Sequence, residues 1–140
     1  MTELGLDPPK YNEVLVKVSA CGVCHTDEVA RQQIIPVPLP SVFGYEDCAA
    51  VEDTGPGVTD FKKGDRVGFS YGYCGANEAF RTGRLYGCEE NRRLHFSGTL
   101  PDGTKRLHTE RGEDVSSFFG QGAFAAHAHN GRVIQAVLVM

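Results

Sequence analysis

The run Cys21-Gly-Val-Cys24-His25-Thr26-Asp27 places two thiols, an imidazole, a hydroxyl and a carboxylate within seven residues. Such a run opens either a zinc site or a thiol redox pair. Zinc takes four protein ligands in a closed structural site, or three and a water in a catalytic one. Cys24 therefore needs partners from elsewhere in the chain. Some twenty residues on, Gly44-Tyr45-Glu46 offers a phenol and a carboxylate. A phenol with an ordinary pKa near 10 binds a metal only after losing its proton. Glu46 turned inward still leaves one cysteine and one glutamate, short of a site. Tyr45 is then either a packed aromatic filling the space or an acid and hydrogen-bond donor. Asp27 and Glu46 are either a carboxylate pair or hydrogen-bonded core acids, and the second reading is preferred.

The redox alternative for Cys21 and Cys24 lacks a thioredoxin-like βαβ pattern around it; its competitor is a pair of thiols without function. His95, His108, His127 and His129 have no metal-ligand spacing. His127 and His129 would share one face of a strand, and all four are read as plain strand residues.

These side chains must be positioned by short strands. Seventeen glycines and seven prolines are spread along the chain rather than collected in a linker, which suits strands joined by tight turns. Glu13–Ala20 alternates Val14, Val16 and Val18 with another face and reads as a strand. Cys48–Gly55 is a second, and Arg66–Ser70, fed by the turn Lys63-Gly64-Asp65, is a third. Two late strands are expected around an Asn130-Gly131 hairpin turn. His25–Gln33 suits one or two helical turns capped by Thr26 or Asp27, and the prolines of Pro36–Val42 forbid helix there. No glycine cluster follows a strand and opens a helix, so Gly55-Pro-Gly57 and Gly120-Gln-Gly122 read as turns and not phosphate cradles.

With 140 residues, 41% hydrophobic and 23% charged, the chain suits one globular domain, here taken as 1–140. A net charge of −4 argues against nucleic acid. No apolar run spans a membrane, and the N-terminus shows no signal peptide. A cytoplasmic location is expected, with the five cysteines as thiols or ligands rather than disulfides.

Four motifs in register, EVLVKVSACGVCHTD, LPSVFGYEDCAAVEDTGPGVTDFKKGDRVGFS, CGANEAFRTGRLYGC and FFGQGAFAAHA, make the chain resemble the zinc-dependent medium-chain alcohol dehydrogenases, most of all the aryl- or benzyl-alcohol branch. The resemblance covers about residues 5 to 137. It implies a mainly β, GroES-like barrel with short helices, the catalytic domain that in the family precedes a Rossmann domain carrying NAD. By resemblance, Cys24 matches a catalytic-zinc ligand, His25 a residue touching the cofactor phosphate, Thr26 the hydroxyl relaying the alcohol proton, and Asp27 an acid near the zinc. The family's histidine ligand is replaced by Tyr45. The family's structural-zinc loop has cysteines at the positions of Cys74, Asn77, Phe80 and Cys88, so two of its four survive as vestigial ligands. Cys74 and Cys88 could meet in a disulfide, which a reducing compartment opposes.

These readings give three expectations. The first is a zinc-free, nicotinamide-independent descendant of the catalytic domain. It binds a small aromatic or polyketide-like molecule and catalyses acid–base isomerisation, dehydration or cyclisation. Tyr45, His25, Thr26, Asp27, Cys24 and Glu46 line its cleft, and it has no cofactor. The second is a split or truncated zinc-dependent dehydrogenase that borrows a nucleotide-binding domain. The third is a non-catalytic interaction module. A homodimer is expected under each, with Arg132–Met140 as the candidate edge.

Overall fold

The computed structural model describes residues 2–130 and 136–138. Among the described residues nine strands form two sheets. In chain order they are β1 (Gly5–Leu6), β2 (Val14–Gly22), β3 (Ser41–Val42), β4 (Glu46–Thr54), β5 (Arg66–Phe69), β6 (Leu107–His108), β7 (Asp114–Ser117), β8 (His127–Asn130) and β9 (Ala136–Leu138). Three short helices accompany them among the described residues: α1 (His25–Arg31), α2 (Glu78–Arg81) and α3 (Asn91–Phe96). The mainly β expectation holds. None of the described helices is long and apolar enough to cross a membrane.

The larger sheet runs β8-β2-β4-β5-β9 and the smaller β1-β6-β7-β3. The valine alternation seen in the sequence sets the core of the larger sheet. Val14 and Val16 of β2 face inward with Ala49 and Val51 of β4, Val67 of β5 and Ala128 of β8. Each valine taken fully out of water contributes about 1.5–3 kcal/mol. The long β2–β4 pairing is antiparallel, with Val16 opposite Val51 and Cys21 opposite Asp47. Its register slips at two points, between Leu15 and Val16 and between Val18 and Ala20. Such irregularities bend a strand and re-aim its end, and it is the bent end of β2 that leads into the Cys24 region.

The two sheets are fastened by a buried ion pair. Arg106, just before β6, places Nη2 at 2.5 Å from Oε1 of Glu13, just before β2. The same guanidinium reaches Asp102 at 2.9 Å. Near this pair, His129 Nε2–H donates to the Asp7 carbonyl at 2.8 Å.

Three expectations are corrected. The two late strands exist, but β8 pairs with β2 and β9 with β5. They stand at opposite ends of the sheet instead of forming a hairpin, because Ala128 is used to close the core against Val14 and Val16. Gly131 of the expected turn lies outside the described residues, as does all of the Arg132–Met140 edge except 136–138. His95 is helical, not on a strand: it lies in the last turn of α3, whose Leu94 and His95 are both buried. Helix α1 is capped by Cys24, not by Thr26 or Asp27. Its backbone is extended at Cys24 and its sulfur accepts from the Thr26 N–H at 3.3 Å.

Candidate functional site

The site forms where β2 ends, α1 begins and the loop into β4 turns. Asp27 holds these pieces together. Its Oδ2 accepts from the Cys24 N–H at 3.1 Å and its Oδ1 from the Gly44 N–H at 3.0 Å. The carboxylate is buried and fully used by the backbone, so it is the hydrogen-bonded core acid of the two readings given above. Gly44 has φ +91°, and a Cβ there would meet the Phe124 ring at 2.5 Å. Only glycine fits both the left-handed backbone and that close approach.

This turn delivers Tyr45 to Cys24. The Tyr45 hydroxyl lies 2.8 Å from Cys24 Sγ. Burial, then the hydrogen bond with Cys24, pushes the Tyr45 phenol up to about 12, with the Thr26 side chain acting in the opposite direction. The phenol therefore keeps its proton at neutral pH, and in its contact with the Cys24 sulfur either group can act as donor. Cys24, Thr26, Asp27 and Tyr45 are thus gathered in one place. His25, at the start of α1, is exposed, and so is Glu46, whose carboxylate lies over Gly22. The structure does not bring these two into the cluster, and Asp27 and Glu46 do not form a carboxylate pair.

Cys21 takes a separate path. It donates to the Gly22 carbonyl at 3.5 Å. Burial first, and then the negative field of Asp47, Asp27 and Glu46, drives its thiol pKa up against the opposing Glu46 backbone bond. A thiol kept protonated is a poor nucleophile, which tells against a redox pair with Cys24.

Aromatic rings that the sequence reading did not single out complete the site. Tyr45 stacks on Phe119 with centroids 4.1 Å apart, and Phe119 stacks on His95 at 4.5 Å. Phe118 meets Tyr45 edge-on at 5.9 Å. Tyr71 packs beside Tyr45, His95 and Phe119 at 6.1, 5.8 and 5.6 Å while staying 61% exposed. His95 Nδ1 pairs with Asn91 Oδ1 at 2.8 Å. Burial lowers the His95 pKa, partly offset by the Gly72 backbone, so the ring stays neutral in the stack. The sequence signal for this cluster was the Phe118-Phe119-Gly120 run, where two bulky rings precede a glycine in a turn.

The donors collected here are one thiol already engaged by two partners, one protonated phenol and one carboxylate spent on backbone. That set does not supply the three ligands a catalytic zinc requires. Among the described residues no group of three or more histidine, cysteine, aspartate or glutamate side chains could hold a metal ion.

The family model described as "Alcohol dehydrogenase GroES-like domain" matches residues 10–130. The chain belongs to this family. The GroES-like domain is 41% identical over 121 residues to geraniol dehydrogenase of Castellaniella defragrans, which covers 86% of this chain and 32% of that protein. The benzyl alcohol dehydrogenase structure from Acinetobacter calcoaceticus superposes with TM-score 0.88 at 41% identity, over 98% of this chain and 36% of that one. An alcohol dehydrogenase zinc-binding domain protein from Burkholderia ambifaria gives TM-score 0.94 at 38% identity, over 99% and 38%. The GroES-like domain thus spans about a third of the length of the relatives it matches. The mainly β, GroES-like fold and the alcohol dehydrogenase relationship expected from the sequence are both borne out.

Proposed function

We propose that this GroES-like domain binds a small aromatic or polyketide-like molecule at the Tyr71–Tyr45 face and assists proton-transfer chemistry there without zinc or a nicotinamide. The observation that carries this reading is the 2.8 Å contact between Tyr45 and Cys24. It ties together two groups at the position where a metal would need free ligands. Tyr71 supplies an exposed ring on which a flat ligand stacks, and such pairs contribute about 0.5–1.5 kcal/mol beyond their buried area. A phenol with its pKa pushed up to about 12 is a donor and not a base at neutral pH. Its role is to polarise a carbonyl or hydroxyl oxygen of the ligand, with the Thr26 hydroxyl beside it. Isomerisation, dehydration and cyclisation all develop charge on such an oxygen, and a positioned donor stabilises it.

Titration with benzaldehyde, followed by tyrosine fluorescence, tests the binding step. Saturable quenching that weakens at least about threefold in Tyr71→Ala and in Tyr45→Phe supports the proposal, since each removes a contact of about 1 kcal/mol. Equal quenching in all three proteins defeats it.

A second reading is favoured by the relatives named geraniol and benzyl alcohol dehydrogenase and by the matching Cys24, Thr26 and Asp27. In it the domain serves a zinc-dependent dehydrogenase together with a nucleotide-binding domain. Stoichiometric zinc in the purified protein, with heat released on NAD addition, would favour it over the first. A homodimer remains the expected assembly under both readings, tested by sedimentation.

A further inference from the structure

Residues 74–88 loop out from the body of the domain as a lobe bearing α2 and a short turn of 3-10 helix at Leu85–Gly87. Cys74 and Cys88 meet at its neck. The Cys74 N–H donates to Cys88 Sγ at 3.3 Å, and Asn77 Nδ2–H reaches the same sulfur at 3.6 Å. Cys74 Sγ accepts from the Ala76 and Asn77 N–H groups, each at 3.4 Å. The two sulfur-bearing side chains also lie within hydrogen-bonding reach of one another. Four N–H donors therefore converge on two adjacent thiols.

The lobe's other two matching positions bring nothing that binds zinc. Asn77 spends its Oδ1 on the Phe80 N–H at 3.0 Å, capping α2. Phe80 stacks on Tyr73 at 5.6 Å. Asn77 and Phe80 thus add no thiolate to the two cysteines, and two thiolates are half of a closed tetrahedral site. The same surroundings favour thiolate chemistry instead. Both sulfurs sit among N–H donors, an arrangement that favours the negatively charged form of a thiol. Cys88 is buried beside Tyr73 and Leu94, and Cys74 is half-buried at the surface.

We propose that Cys74 and Cys88 are a peroxide-responsive thiol pair whose reversible disulfide closes the lobe at its neck. The Cys74 thiolate attacks hydrogen peroxide, an S–O bond forms as the O–O bond breaks, and the departing hydroxide leaves as water after taking up a proton. The Cys88 thiol then attacks the Cys74 sulfur. The S–S bond forms, the S–O bond breaks, and a second water leaves with the Cys88 proton. Two thiols and one peroxide give one disulfide and two waters. Sulfur is oxidised and peroxide oxygen is reduced. Nothing in this step depends on the reading of the Tyr45 site.

The test treats the folded chain with hydrogen peroxide, alkylates it under denaturing conditions and maps the peptides. The expected result is a Cys74–Cys88 crosslink, reversed by dithiothreitol. It should form at least about threefold faster than oxidation of exposed Cys48, since N–H donors on the Cys74 sulfur stabilise the attacking form. In Cys88→Ser, dimedone should instead trap a sulfenic acid at Cys74. Asn77→Asp keeps an acceptor for the α2 cap but exchanges the amide donor for a negative charge. It should slow the crosslink several-fold with an unchanged circular dichroism spectrum. The proposal is overturned if both thiols remain fully alkylatable while Cys48 is oxidised, if Cys74 runs on to sulfinic acid with Cys88 intact, or if a stoichiometric zinc ion protects both.

Discussion

Tyr45 lies face to face on Phe119, with centroids 4.1 Å apart and planes 14° from parallel, and Phe119 reaches that position with a left-handed backbone at φ 56°. A bulky residue held there costs about 1–2 kcal/mol relative to ordinary backbone. The stack with Tyr45 and His95 offsets it. This arrangement fixes the plane of the phenol and thereby the direction of its hydroxyl toward Cys24.

Substitution at Phe119 should therefore break a common rule. Alanine normally outranks glycine in stability, but here Phe119→Gly should be at least as stable as Phe119→Ala because it relieves the strained φ. Both should lie about 3–5 kcal/mol below the parent from loss of the buried ring. Urea unfolding of the two variants gives the order directly.

At Tyr45 the hydroxyl and the ring separate cleanly. Tyr45→Phe keeps the stack and removes one hydrogen bond, for an expected loss of about 0.5–1.5 kcal/mol. Tyr45→Ala should lose about 3–5 kcal/mol. In the parent, phenolate absorbance should show one tyrosine titrating at about 12, and that component should vanish in Tyr45→Phe.

Asp27 joins the start of α1 to the Gly44 turn with one oxygen for each. Asp27→Asn retains a single acceptor and sets an amide N–H against a backbone N–H. A loss of about 1–3 kcal/mol is expected. Tyr45 fluorescence should change as well, because the turn that delivers it loosens.

Asp47 behaves in the opposite way. It faces the core side of β4, and neither carboxylate oxygen has a well-formed hydrogen bond, the N–H groups of Asp47 and Phe69 giving only partial compensation. Burial raises its pKa, so the folded protein keeps this proton to higher pH than the unfolded chain. Its contribution to stability is fully present below the unfolded value of about 3.9 and is lost as pH rises through the folded one. Asp47→Asn should accordingly gain stability over the parent at neutral pH, with the difference shrinking as pH falls toward 4. A parent–variant difference that does not vary with pH would contradict this assignment.

The buried pair of Glu13 and Arg106 makes a further prediction. Glu13→Gln leaves a guanidinium in the core with a weaker partner, and about 3–5 kcal/mol should be lost. The double replacement Glu13→Leu with Arg106→Met should recover most of it, as seen by thermal unfolding.

Much of this was readable beforehand because it follows local rules. The valines at 14, 16 and 18 announced β2, the Lys63-Gly64-Asp65 turn announced β5, and Cys24, Thr26 and Asp27 were picked out by the family resemblance of the Cys21–Asp27 run. What escaped depends on contacts between distant segments. His95 comes to the site only because α3 packs beneath Phe119. The late strands part company because the core needs Ala128 at one end of the sheet. Glu46 was expected to line the cleft, but it opens β4 on the exposed face, and the alternation of the strand turns Asp47 inward instead.

The Glu13–Arg106 clasp couples residues 93 positions apart. During synthesis, the segment bearing Glu13 leaves the ribosome long before Arg106 does. Until then an acidic side chain destined for the interior has no counter-ion and must wait in water. The fastening of one sheet to the other therefore awaits the emergence of Arg106 and cannot run strictly from the N-terminal end.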